Sequence, residues 1–197
     1  KVTIMVTLWH NRLVSLASSP VSHPRSSLSR ELAIDAAASV FAQHGFTQAP
    51  VRALAASAGY SKAGLLKRFG SKAAVEDAVV AAAIDHSERV AAAGQGLHGA
   101  ERDEAVLAEL IEVCATHPGY AALMISAFAL ARKEAAMIRL QPAVDALLGA
   151  LDASSKGVRR VEITAAMSGA VVAVLANLDN LARVRGIALA AALRVLG

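Results

Sequence analysis

Residues 51–72 read VRALAASAGYSKAGLLKRFGSK, and this stretch decides the fold. A short helix, about Val51 to Ala58, follows Pro50, a residue suited to a helix's first turn. Gly59 stops it. Ser61 can cap a second short helix, about Lys62 to Phe69, because its hydroxyl accepts an orphan amide hydrogen. Gly70 stops that helix in turn, and Ser71 caps the next. Two short helices joined by Ala58-Gly59-Tyr60-Ser61 form a helix-turn-helix signature, with the glycine permitting the sharp turn. Leu54, Ala55 and Leu65 would face a core shared with Phe41 and Phe69. Lys62, Ala63, Gly64, Leu66, Lys67 and Arg68 would face outward. A short basic helix opening on small residues can enter a major groove. Any helical hairpin with a glycine turn has the same spacing, so the charge pattern has to decide.

The charge is uneven. Residues 1–72 hold nine Lys and Arg against two acids, a net of +7, while residues 73–197 carry a net of −3. A basic head on a mildly acidic body points to a polyanion bound by the head. Evenly spread solubilising lysines would not give this pattern.

Working outward, a helical run from Leu28 to His44 places Leu32, Ala36 and Val40 on one stripe and Ile34, Ala37 and Phe41 on the next, and Gly45 ends it. Residues 1–27 are rich in Ser and Pro and read as an irregular arm. The apolar run Val2–Trp9 is short and is broken by His10, Asn11 and Arg12, so a signal peptide is not expected; a mis-assigned start would account for the segment equally. After Ser71 an Ala/Val-rich helix runs to about Ala93. Helical stretches follow at Glu101–His117, Gly119–Glu134, Gln141–Ala153, Lys156–Leu178 and Leu181–Leu196. No segment alternates with period two. The expected fold is all-α, about nine helices: an arm (1–27), a three-helix head (28–72) and a larger helical bundle (73–197).

The composition, 55% apolar and 18% charged, excludes a disordered chain. A single cysteine excludes an internal disulfide and points to a reducing cytoplasm. The charge-free stretches Pro118–Ala131 and Ile163–Leu178 span 14 and 16 residues. A membrane span needs about 20, so buried helices are expected instead.

The run Ala33-Ile34-Asp35-Ala36-Ala37-Ala38-Ser39-Val40-Phe41-Ala42-Gln43-His44-Gly45-Phe46 resembles the first helix of the TetR (tetracycline repressor) family. Residues 51–72 resemble the rest of that family's DNA-binding head. The resemblance covers about Ser29 to Val80 and implies a dimeric, non-enzymatic transcriptional regulator. The family usually opens the second helix with Ser or Thr, where this chain has Pro50. Its recognition helix usually reads Ser-Lys-Gly-Thr-Leu-Tyr, where this chain has Ser61-Lys62-Ala63-Gly64-Leu65-Leu66. Leu66 therefore lacks the tyrosine hydroxyl that typically binds phosphate, and Lys67 and Arg68 offer charge in its place.

Within the head, Lys62 could donate to guanine O6 or N7. Gly64 could make room for a thymine methyl. Arg52, Ser61, Lys67, Arg68 and Lys72 suit phosphates, which set register and affinity. Arg25, ahead of the first helix, could reach a minor groove. Within the body, the resemblance implies a pocket for a small apolar or amphipathic effector. Candidate lining residues are Leu107, Ile111, Cys114, His117, Met124, Phe128, Met137, Leu147 and Met167; plain core is the alternative for each. Val171, Val174, Leu175, Leu178, Leu189 and Leu193 recur at helical spacing near the end of the chain. The resemblance implies a four-helix homodimer interface there, with ordinary core as the competing reading. A dimer would present two recognition helices about 34–36 Å apart, matched to a palindromic operator on double-stranded DNA.

Gly94-Gln95-Gly96-Leu97-His98-Gly99 fits G-x-G-x-x-G but follows no strand, so a loop is expected rather than a dinucleotide site. The six histidines show no metal-ligand spacing, and no catalytic constellation is visible. No cofactor or metal is expected. The reading is a bacterial repressor released from DNA by its effector. The alternative is a helical small-molecule-binding protein or enzyme whose helix-turn-helix is only structural.

Overall fold

The computed structural model describes residues 30–130, 138–152 and 157–197. The regular elements among them are helical: α1 (Arg30–His44), α2 (Val51–Ser57), α3 (Lys62–Phe69), α4 (Lys72–Ala92), α5 (Gly99–Thr116), α6 (Pro118–Leu130), α7 (Gln141–Asp152), α8 (Val158–Leu175), a 3-10 turn (Leu178–Asn180) and α9 (Leu181–Leu196). The all-α expectation holds. The arm, Arg25 and Met137 lie outside the described residues.

Local chemistry sets the boundaries in the head. Gly45, Gly59 and Gly70 take φ of 72°, 71° and 90°, a region that side chains disfavour. Ser61 Oγ accepts the Gly64 amide at 3.0 Å, and Ser71 Oγ accepts the Ala74 amide at 3.1 Å. Pro50 sits one position earlier than its expected first-turn place. It is extended (φ −72°, ψ 135°) and occupies the cap position of α2 without a side-chain cap. Its carbonyl still accepts the amides of Ala53 and Leu54 at 2.9 and 3.1 Å.

The chain packs as two compact units. The first comprises the described residues of Lys1–Ala82 with those of His117–Arg139, and the second comprises Ala83–Thr116 with Leu140–Gly197. The boundary at residues 82 and 83 falls inside α4.

In the first unit Phe41 stacks on Phe46, with centroids 4.6 Å apart, and Leu54, Ala55 and Leu65 are buried as expected. One expectation fails: Phe69 is half-buried at the rim, where the Arg30 guanidinium lies 5.1 Å from its ring centroid. Of the two stripes read on α1, Val40, Ala37 and Phe41 are buried, Ala36 and Ile34 are half-buried, and Leu32 is exposed. α1 also packs along α6. Asp35 Oδ2 accepts the Gly119 amide at 3.0 Å, and Oδ1 accepts the Tyr120 amide at 2.9 Å.

In the second unit α5, α7, α8 and α9 enclose Leu107, Leu110, Leu147, Leu151, Ile163 and Leu175. One carboxylate, Asp103, is buried among them. Arg102 and Arg159 reach it at 2.8 and 3.0 Å, and Arg159 also donates to the Leu196 carbonyl at 2.6 Å. The G-x-G-x-x-G segment is the turn between α4 and α5. A Cβ on Gly94 would lie 2.7 Å from a Val106 methyl, so its first glycine serves packing. Among the described residues no single helix is long and apolar enough to cross a membrane.

Candidate nucleic-acid interface

From Val51 to Val75 the chain has five cations and no acid. The fold brings most of that charge to a surface. Arg52 is exposed on α2, as are Lys62, Ala63, Lys67 and Arg68 on α3 and Ser61 at its cap. Leu65 is the only buried residue of α3. Leu66 and Phe69 are half-buried beside it, and Lys62, Ala63, Lys67 and Arg68 face solvent. Such a face neutralises phosphates and releases their counterions. Its leading residues can reach base edges.

Not every candidate points straight out. Gly64 and Leu66 are half-buried. A Cβ on Gly64 would lie 3.2 Å from Ser61 Oγ and 3.8 Å from Tyr60, so the missing side chain leaves room for the serine cap. Lys72 is half-buried and donates to the Thr47 carbonyl at 2.8 Å, tying the start of α4 to the loop between α1 and α2. The Arg68 guanidinium lies 5.8 Å from the centroid of the Tyr60 ring, which holds it beside the turn. Tyr60 drew no role from the sequence, although an aromatic residue eight positions before an arginine, across a turn and a helix, was there to be noticed.

The effector candidates divide between the units. Leu107, Ile111, Cys114, Leu147 and Met167 are buried in the second; His117 and Met124 are buried in the first. His117 Nε2 lies 3.5 Å from Glu31 Oε1. The Phe128 side chain and Met137 lie outside the description.

The interface candidates divide too. Val171, Val174 and Leu175 are buried within the single chain, whereas Leu178, Leu189 and Leu193 are half-buried. The exposed apolar positions of α8 and α9 are others: Val158 and Val161 on one, Ile187 and Val195 on the other. Nothing lies within 4 Å of a Cβ built on Gly169 or Gly186.

Asp35 is the residue most clearly missed. Burial raises its carboxyl pKa; the Tyr120 and Gly119 amides and His117 oppose the rise, while Glu31 adds to it. Its signal in the sequence was an acid heading the stripe Asp35, Ala38, Ser39, Ala42, whose other members are small and buried.

Comparison with known proteins agrees with this geometry. Residues 33–79 match the family model for bacterial regulatory proteins of the tetR family. The fold resembles that of a TetR-like transcriptional regulator from Rhodococcus sp. RHA1, with TM-score 0.56 and 22% identity over 87% of this chain and 97% of that one. It also resembles the TetR family transcriptional regulator PfmR from Thermus thermophilus, with TM-score 0.59 and 15% identity over 83% and 96%. A third is the transcriptional regulator FadR from Bacillus subtilis, solved in complex with stearoyl-CoA, with TM-score 0.52 and 17% identity over 84% and 98%. No curated protein matches by sequence.

Proposed function

We propose that the chain, whose head matches the tetR family model over residues 33–79 and whose fold resembles that of TetR-like regulators, is a dimeric transcriptional repressor that leaves a palindromic operator when a small apolar or amphipathic effector binds. The observation that carries the reading is the exposed, acid-free face of α2 and α3, with Arg52, Lys62, Lys67 and Arg68 around a serine-capped recognition helix. Lys62 reads a base, and Arg52, Lys67 and Arg68 hold phosphates. Lys72 acts within the head through Thr47.

The dimer forms through the uncovered stripes of α8 and α9. Val158, Val161 and Ile187 are exposed large apolar side chains there, and Gly169 and Gly186 allow close approach of a second copy. Val171, Val174 and Leu175 support those stripes from within the subunit. The effector sits among the buried side chains of the body, and it favours a state in which α4 carries the heads away from operator spacing. That needs a coupling of only ~1–3 kcal/mol. Long-chain acyl-CoA is the first effector class to test, because a protein of this fold was solved with stearoyl-CoA. The protein works in the cytoplasm and performs no catalysis.

The test is selection of duplexes from a random pool, followed by binding of the winner at several salt concentrations. An enriched palindrome whose affinity falls steeply with salt is the expected result. A folded dimer that enriches nothing would overturn the reading and favour the alternative in which the helix-turn-helix is structural.

A further inference from the structure

Tyr60 stands in the turn ahead of α3, and its amide donates to the Ala55 carbonyl at 2.8 Å, which ties it back to α2. Gly64 and Arg68 are four apart on α3 and share one face of it, and Tyr60 stands a further four positions ahead. A Cβ built on Gly64 would lie 3.8 Å from both Cβ and Cδ1 of Tyr60, so the ring rests beside a bare glycine. A longer side chain at position 64 would compete with the ring for that space. The Arg68 guanidinium lies over the same ring, 5.8 Å from its centroid. Arginine suits such a contact, because its N–H donors lie in the plane of a flat cation whose face can rest on an aromatic ring. Arg68 is exposed, and among the described residues no ion pair engages it, so those donors are left for a ligand. A long side chain loses rotamer freedom when it binds, and one already held against a ring has lost part of it beforehand.

We propose that Tyr60 is a positioning residue for DNA binding, whose ring, seated beside Gly64, holds the Arg68 guanidinium ready for a backbone phosphate. Tyr60 makes no contact with nucleic acid in this scheme. It acts through Arg68, by its ring and not by its hydroxyl. Gly64 then serves the ring and the Ser61 cap rather than a thymine methyl. The inference deepens the reading of the α2–α3 surface and rests on it for its link to DNA.

The experiment uses the full chain and a duplex of mixed sequence at low salt, because the phosphate backbone is common to all duplexes and no operator is needed. Affinity and its salt slope are measured for the wild type, Tyr60→Phe, Tyr60→Leu, Arg68→Ala, and Tyr60→Leu combined with Arg68→Ala. Tyr60→Leu is expected to weaken binding roughly two- to fivefold. Tyr60→Phe should bind as the wild type does, since it keeps the ring. Arg68→Ala should lower the salt slope by about 1. In the Arg68→Ala background Tyr60→Leu should be silent, because the residue it acts through is gone. An equal loss from Tyr60→Leu in both backgrounds would overturn the proposal and leave Tyr60 a support of the turn only. A loss in Tyr60→Phe as large as in Tyr60→Leu would also overturn it, since the hydroxyl would then touch the DNA itself. Full affinity in Tyr60→Leu or in Arg68→Ala would do the same. If Tyr60→Leu does not fold, Tyr60→Met, which keeps bulk beside Gly64 without a ring, decides by the same criteria. A chain that shows this pattern on mixed duplex but selects no palindrome ends the repressor reading and leaves the proposal standing. A wild type that binds no duplex even at low salt ends both.

Discussion

α3 and α6 are two helices of one unit held in opposite ways. α3 has eight residues and buries one, Leu65. α6 buries every residue from Gly119 to Met124, and Ser126 and Ala127 besides. The first is secured at its ends, by Ser61 and Gly70, and leaves Lys62, Ala63, Lys67 and Arg68 to the solvent. The second is secured along its sides, and it borrows an acid from α1 to satisfy its first turn. A short helix that keeps an uncovered face depends on few buried side chains and on good caps. A helix meant to hold another element in place can spend all its faces on packing.

That contrast can be broken most directly at Leu65. Leu65→Ala should cost ~2–5 kcal/mol in urea or thermal unfolding, since it opens a cavity under the one anchor of α3. A loss below about 1 kcal/mol would mean that the caps alone hold the helix. The uncovered face is tested next. Lys62→Ala should cost ~1–3 kcal/mol of DNA binding and relax preference at one base pair, whereas Lys67→Ala should weaken all sequences alike and lower the salt slope by about 1. Competition binding with point-mutated duplexes separates the two. Silence of both would remove α3 from the groove. The cap comes third: Ser61→Ala should destabilise by about 1 kcal/mol, and Ser61→Asp should restore most of that, because an aspartate also accepts the Gly64 amide.

The smallest effect expected is on the α6 side, at Asp35. Its folded pKa is raised, chiefly by burial. Between the unfolded value of about 3.9 and the raised folded one, the native state keeps a proton that the unfolded chain has released. Stability from this group is therefore full below that window and declines as pH climbs through it. Subtracting the pH–stability curve of Asp35→Asn from that of the wild type should isolate this downward slope. A difference curve rising with pH would reverse the sign and give the amide bonds the upper hand over burial.

The head was legible because its signals are local. Gly45, Gly59, Gly70, Ser61 and Ser71 each act within four residues, and the helix limits follow them closely. Leu65 against Lys67 and Arg68 sorts itself by polarity. Legibility stopped where partners are distant or where polarity does not discriminate. Asp35 and Gly119 meet across 84 residues, and no periodicity announces such a pair. Phe69 looked like core, yet it is half-buried, with the Arg30 guanidinium 5.1 Å from its ring centroid. In α8 the apolar residues run round more than one face: Val161 is exposed while Val171 and Val174 are buried. Spacing alone therefore could not tell an inner stripe from an outer one. The roles of the DNA, effector and interface candidates rest on the experiments above.

The chain has two tyrosines and one tryptophan, and the tyrosines stand at the two places of greatest interest. Tyr60 lies beside the Arg68 guanidinium at the recognition helix, and buried Tyr120 has its amide on Asp35 at the joint with α1. Replacing Trp9 by Phe would leave an ultraviolet emission that comes from those two phenols alone. A further Tyr60→Phe or Tyr120→Phe change would leave a single emitter at one site, so the protein carries its own optical reporters for the α3 surface and for the α1–α6 contact, with no dye attached.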